Sequence, residues 1–234
     1  MPIYIGTSGY SYREWKGSFY PADLPTNQML RYYGTQFNSV EANSTFRGVP
    51  KVSDVLNWLQ QVPAQFKFAL KAPQQITHFR RLRNVRRPLE AFLTAASALK
   101  RRLGPVLFQL PPNFKKDMRR LRAFLGRLPL RLRVAFEFRH ASWFDDEVLA
   151  LLRHHRVALC IADADGELRV PFVATAPWGY LRLRRPDYRR SQLKVWARRI
   201  RTQSWREVFV YFRHENEANG PRLAKQLAEI MAEA

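Results

Sequence analysis

The sequence predicts an α/β fold, a single eight-stranded (β/α) barrel spanning residues 1–234. Three observations predict it. Short β-rich apolar runs alternate with longer segments of helical period along the whole chain, which implies a parallel sheet with right-handed crossovers. Eight such runs occur, and a helical segment follows the last, which suits a closed barrel better than an open doubly wound sheet. No Gly-x-Gly-x-x-Gly follows the first run, so the dinucleotide-binding form of the open sheet lacks its signature.

The first strand is 3–7. The connection after it runs from Ser8 to about Pro25 and carries Tyr10, Tyr12, Trp15, Phe19 and Tyr20. A long loop with that many rings is expected to pack on itself as a flap over the barrel mouth. Helical period at 26–36 leads to the second strand, 38–42, and period at 51–61 to the third, 66–71. Helix 88–102 precedes strand 105–110, helix 116–126 precedes strand 132–138, and helix 145–155 precedes strand 157–161. Segment 162–177 has no helical period, so the sixth helix is expected to be missing or replaced by a loop. Strand 178–184, helix 190–202, strand 207–212 and helix 217–232 complete the chain.

Cys160 is the single cysteine, which excludes an intramolecular disulfide and a cysteine-based zinc site. No signal-like segment and no membrane-length apolar run is visible, so the expected location is the cytoplasm, with no membrane partner. The net charge is +21, from 40 Lys and Arg against 19 Asp and Glu. The excess is uneven. Between Arg80 and Arg133 the only acids are Glu90 and Asp117, and between Arg182 and Arg206 only Asp187. Such surfaces attract polyanions, so a nucleic acid or another polyanion is an expected partner. The charge is mostly arginine, and solvated helix faces account for it equally well.

In a barrel of this kind, residues at the C-terminal strand ends face the ligand. Those positions are Thr7 and Ser8, then Glu41 and Asn43, then Lys71 with His78, then Gln109. Glu137 and Arg139, Asp163, Arg182 and Arg184, and finally Tyr211, Arg213 and His214 follow. Tyr10 and Trp15 join them from the flap. Glu137 lies between Phe136 and Phe138, and a buried carboxylate must pair with a cation, bind a metal or face a wet pocket. Glu41 and Glu137 lie across the barrel from one another and are candidate catalytic residues, an acid–base pair. The competing reading makes each the partner of Arg139, Lys71 or Arg182 in a structural ion network. Lys71 and His78 together suit a phosphate or carboxylate, which makes an anionic small molecule a second expected partner.

Glu41, Glu137, Asp163 and His214 also offer donors to Mn, Mg or Zn. Abundant arginine argues against a divalent cation, and five histidines cannot furnish a histidine-rich trinuclear centre. No metal site is therefore assigned, and the cofactor is left undetermined. Ser8 and Ser44 are the best-placed hydroxyls, but no histidine–carboxylate pair attaches to either. The turn Gly6-Thr7-Ser8-Gly9 can present backbone N–H groups to a phosphate.

Several blocks resemble a known family. Gly6-Thr7-Ser8-Gly9-Tyr10-Ser11-Tyr12 with Trp15, Gly17 and Phe19-Tyr20-Pro21 is similar to the opening signature of the YecE-like barrels, the domain of unknown function 72. Glu41-Ala42-Asn43-Ser44-Thr45-Phe46, Phe68-Ala69-Leu70-Lys71-Ala72-Pro73 and Ile76-Thr77-His78 continue the similarity. So do Gly104 through Phe114, Phe136-Glu137-Phe138-Arg139-His140, Ser142-Trp143, Tyr180-Leu181-Arg182-Leu183 and Val210-Tyr211-Phe212. The resemblance covers nearly the whole chain and implies a barrel related in shape to xylose isomerase and apurinic endonucleases. It implies no reaction. Arg47, Arg184-Arg185 and Arg213-His214-Glu215-Asn216 depart from the family's common pattern, and the first two departures add arginine near the mouth. The first expectation is an enzyme acting at the mouth on a phosphate-bearing substrate, a nucleic acid among the candidates, and hydrolase- or nuclease-like or isomerase-like. The second is a non-catalytic nucleic-acid-binding barrel, and the third a sugar-type isomerase or hydrolase.

Overall fold

The apolar runs become eight strands: β1 (Ile3–Thr7), β2 (Ser39–Ala42), β3 (Lys67–Lys71), β4 (Leu103–Gln109), β5 (Val134–Glu137), β6 (Ala158–Asp163), β7 (Gly179–Leu183) and β8 (Val208–Phe212). In this computed structural model, which describes residues 1–166, 168–213 and 218–233, they pair in parallel in the order β1-β8-β7-β6-β5-β4-β3-β2. The helices are α1 (Met29–Gln36), α2 (Ser44–Arg47), α3 (Val52–Gln61), α4 (Arg86–Ser97), α5 (Met118–Leu125), α6 (Asp146–His154), α7 (Arg190–Arg201) and α8 (Asn219–Ala232). The connection from β6 to β7 has no helix among its described residues. The fold is thus the (β/α)8 barrel that the alternation of runs predicts.

Three local features differ from the sequence reading. The period at 88–102 resolves into α4 and a separate 3-10 turn at Lys100–Arg102, because Lys100 takes a φ of +50° and redirects the chain into β4. The four-residue α2 and a one-turn wide helix at Gln75–Phe79 are too short to show a period.

Strand alternation builds two cores. Side chains facing outward meet the helices: Phe136 stacks on Phe108 at 5.5 Å, and Phe124 of α5 meets it at 6.0 Å. Side chains facing inward, among them Ala69, Leu107, Ala135, Cys160, Tyr180, Phe209 and Tyr211, pack as a second cluster that fills the barrel.

Barrel closure between β1 and β2 is made largely by side chains. Their backbones share one bridge, Ser8 to Glu41. The N–H of Ile5 donates to Asn38 Oδ1 at 3.0 Å, and Asn38 Nδ2 returns a bond to Ile3 O at 2.8 Å. The N–H of Thr7 donates to the Tyr33 hydroxyl at 2.7 Å, which donates onward to Ser39 O at 3.1 Å. A Cβ at Gly6 would sit 2.0 Å from the Ser39 carbonyl oxygen, so the chains approach closely only because position 6 is glycine.

The seam is testable. Tyr33→Phe removes one hydroxyl and strips the buried Thr7 N–H of its partner; it is expected to cost about 1–3 kcal/mol in urea unfolding. Gly6→Ala should cost more than Tyr33→Phe, since backbone itself must move.

Candidate functional site

Alternation along β7 points Tyr180, Arg182 and Arg184 inward, and Arg182 lands at the level where the apolar filling of the barrel ends. Its guanidinium is 1% exposed, and so far from water it must be matched by charge. Glu41 and Glu137 supply the match, each essentially unexposed. Arg182 Nη2 lies 2.8 Å from Glu41 Oε1, and Nη1 lies 2.5 Å from Glu137 Oε2. Neutral donors take the remaining carboxylate oxygens. Tyr180 Oη donates to Glu41 Oε2 at 2.6 Å, and Gln109 Nε2 donates to Glu137 Oε1 at 2.8 Å. Ser8 Oγ donates to Glu41 Oε1 while accepting from Arg182 Nη2 at 3.0 Å and from Asn43 Nδ2 at 2.9 Å. The two candidate catalytic carboxylates are therefore joined through one arginine.

Electrostatics follow from this geometry. Burial would raise the Glu137 carboxyl, but Arg182 and then Arg184, with the Arg182 and Gln109 hydrogen bonds, outweigh it and hold it down at about 2. Glu137 stays ionised at neutral pH and is no proton donor. Burial would lower the Arg182 guanidinium, and the two glutamates drive it well above its ordinary value instead.

Cations surround this centre in excess of the acids. Arg184 Nη1 is 3.4 Å and Arg139 Nε 3.9 Å from Glu137 Oε1. Burial depresses Arg184, with Arg182, Arg139 and Arg213 adding repulsion. Lys71 Nζ sits 3.8 Å from the centre of the Phe46 ring. Burial, then the charge of Arg182, brings Lys71 down to about 8. His78 meets Phe46 edge to face at 5.0 Å and takes up Thr77 Oγ1 at Nδ1, 2.9 Å. Burial, then Lys71 and Arg139, lower it to about 4, so it is neutral at physiological pH.

The remaining candidates lie elsewhere. Thr7 Oγ1 donates to Gly9 O at 2.6 Å and belongs to the seam. Tyr211 is inside the barrel, its hydroxyl 2.7 Å from Ser39 Oγ. Trp15 is 1% exposed and fills the flap's own core, ringed by Tyr12, Phe19 and Tyr20, because an indole surrounded by three rings loses less by packing than by facing water. Tyr10 packs at 6.2 Å on Tyr33, and its carbonyl accepts from Tyr20 Oη. The flap touches the site through Tyr12, whose hydroxyl donates to Ser8 O at 2.8 Å. Asp163 points away from the mouth, bound by Arg185 Nη2 and by Tyr188 Oη, each at 2.9 Å. It borders a cavity of about 480 Å³ between the β6–β7 connection and α7. His214 lies outside the described residues.

Among the described residues, no three His, Cys, Asp or Glu side chains converge as a metal cluster: Arg182 occupies Glu41 and Glu137, and Arg185 occupies Asp163. Sequence reasoning missed Tyr180. The period-2 rule, applied one step back from Arg182, finds it.

Removing one member of the triad strands a buried charge. Glu137→Gln is expected to cost about 3–5 kcal/mol at neutral pH in urea unfolding. The folded pKa of Glu137 lies below the ~4.3 of an unfolded glutamate. Its contribution is thus present above about pH 4.5 and is lost as pH falls toward 2. The wild-type stability curve should fall across that window, and the Gln variant's should fall less.

Comparison with known proteins agrees with the fold. The model of a family described as "Protein of unknown function DUF72" matches residues 4–234. The chain is 34% identical over 143 residues to UPF0759 protein YecE of Escherichia coli K12, a match covering 61% of this chain and 50% of that protein. The match thus spans about half the length of YecE. UPF0759 protein YunF of Bacillus subtilis 168 is 27% identical over 233 residues, covering 92% of this chain and 79% of YunF. The crystal structure of a DUF72 family protein from Thermotoga maritima superposes with a TM-score of 0.87 at 26% identity, covering 99% of this chain and 100% of that one. One from Enterococcus faecalis gives 0.77 at 19% identity, covering 99% and 98%, a likeness of fold. Among the described residues no helix is long and apolar enough to cross a membrane.

Proposed function

Because the chain belongs to the DUF72 family, whose description assigns no activity, we propose from the mouth geometry that it is an enzyme acting on a phosphate-bearing substrate. One observation carries the reading: around the two carboxylates stand Arg182, Arg184, Arg139, Lys71 and Arg213, five cations against two acids. Burial first, then neighbouring cations, depresses both Lys71 and His78. An anion bound there relieves the repulsion and replaces lost hydration. The arginines and Lys71 hold the phosphate, and Lys71, with its pKa brought to about 8, is the residue able to exchange a proton with bound substrate. Glu41 and Glu137 keep Arg182 in place. The substrate is taken to be cytoplasmic, where the single buried Cys160 stays reduced.

A second reading rests on the exposed basic face of α5, where Arg119 and Arg122 point to solvent. There the chain is a non-catalytic nucleic-acid-binding barrel. Charge reversal at Arg119 and Arg122 then abolishes binding, while charge removal at Arg139 leaves it intact.

Two outcomes test the first reading. Inorganic pyrophosphate at low salt should raise the melting temperature of the wild type. The rise should shrink in Arg139→Ala and Lys71→Met, and should weaken in the wild type above about pH 8 as Lys71 loses its proton. Absence of protection, or equal protection in all three proteins, refutes the mouth as an anion site. Lys71→Met alone should stabilise the unliganded fold at pH 7, by about 1–3 kcal/mol, because a cation whose folded pKa is depressed carries its full cost below that pKa and sheds it only as pH rises from there toward the unfolded value. A purely structural lysine would instead lose stability on replacement.

A further inference from the structure

The loop after β3 carries an apolar ring that the fold has no use for. Phe79 is 72% exposed, at the end of the one-turn helix Gln75–Phe79. Single exposed apolar side chains are ordinary, so exposure alone means little. Here three further features coincide. The loop is anchored from beneath by Ile76, Leu82 and Val85, all buried, and the Leu82 N–H donates to Ile76 O at 2.9 Å. Phe79 is thus held up by a fixed base. Its neighbours Arg81, Leu82 and Asn84 take φ values of +45°, +65° and +53°, which for side chains of this size costs energy that the surrounding structure must offset. Finally, from Ala72 to Leu89 the chain has no acidic residue, while Arg80, Arg83, Arg86 and Arg87 are exposed on this rim.

The loop also adjoins the mouth. His78, next to Phe79, meets Phe46 ring to ring, and Phe46 carries Lys71 Nζ. On the other side, the Arg81 guanidinium lies 6.0 Å from the Phe114 ring in the loop after β4. An exposed aromatic face set among arginines, beside an anion site, is the arrangement that grips single strands: rings stack on bases while cations track the backbone.

We propose that Phe79 is a base-stacking platform for single-stranded nucleic acid, and that the arginines of the 80–87 segment hold the backbone as it enters the mouth. The proposal rests on the phosphate reading of the mouth and names its substrate class. A single strand fits this rim better than a duplex, because stacked and paired bases offer Phe79 no free face.

The probe is a twelve-residue oligothymidylate, set beside an abasic strand with the same backbone, with binding followed by fluorescence anisotropy at low salt. Phe79→Ala, at an exposed site, should fold as the wild type does and bind oligothymidylate about ten-fold more weakly. Its affinity for the abasic strand, and its protection by pyrophosphate, should be unchanged. Phe79→Trp should restore binding, and its indole emission should be quenched on mixing with oligothymidylate but not with the abasic strand. Equal affinity of wild type and Phe79→Ala for oligothymidylate overturns the platform, as does equal loss on both strands. Failure of oligothymidylate to bind while pyrophosphate still protects overturns the platform and leaves the mouth reading standing. Loss of pyrophosphate protection in the wild type removes the mouth reading itself.

Discussion

A guanidinium buried between two carboxylates is costly to desolvate, and it is kept only where its charge is matched at close range. Arg182 is in that position. It ties β7 to β2 through Glu41 and to β5 through Glu137, so one side chain spans the barrel interior. Tyr180, Gln109 and Ser8 supply further donors to the two carboxylates and Asn43 donates to Ser8, each from or just beyond a different strand of the ring, while Arg182 Nε is left without a partner among the described residues. The arrangement is a polar lid on an apolar cylinder. Below it the interior is ring and aliphatic carbon; above it the surface is cationic.

That lid decides what the mouth can do. With both carboxylates committed to Arg182, the charge left facing outward is positive, and burial then works against each further cation. Lys71 is one of these cations. Its ammonium lies over the Phe46 ring, which offers partial compensation, yet its pKa is still brought near the pH of a cell. His78, under the same field and in the same direction, is driven below its working range and keeps a neutral ring. The two carboxylates hold Arg182, while Lys71 and His78 stand beside them as basic groups whose pKa values are lowered.

The same economy of elements shapes the barrel's periphery. Beside the β6–β7 connection, which has no helix among its described residues, Asp163 turns outward to Arg185 and Tyr188 at an open cavity. Where β1 and β2 meet with little backbone pairing, Tyr33 and Asn38 supply the missing partners. Both are places where side chains complete what the regular ladder leaves undone.

Barrel, strand positions and the lack of a helix among the described residues between β6 and β7 were legible in the residues alone, because each depends on a local period: two in strands, 3.6 in helices. The polar ring was legible too, since alternation along a strand decides which residues share its inner face, and Glu137 between two phenylalanines already demanded a partner. Its partner's identity was not legible. Arg139, Lys71 and Arg182 all stood as candidates, and Arg182 won because β7 lies where its guanidinium reaches Glu41 and Glu137 together, a relation between residues 141 and 45 positions apart. Trp15 likewise reads as a mouth aromatic from its place in a long loop, and only packing assigns it to the flap's core. Local periodicity can say which way a side chain points; what waits at the end of it depends on contacts distant in sequence, and those exist only once the barrel has closed.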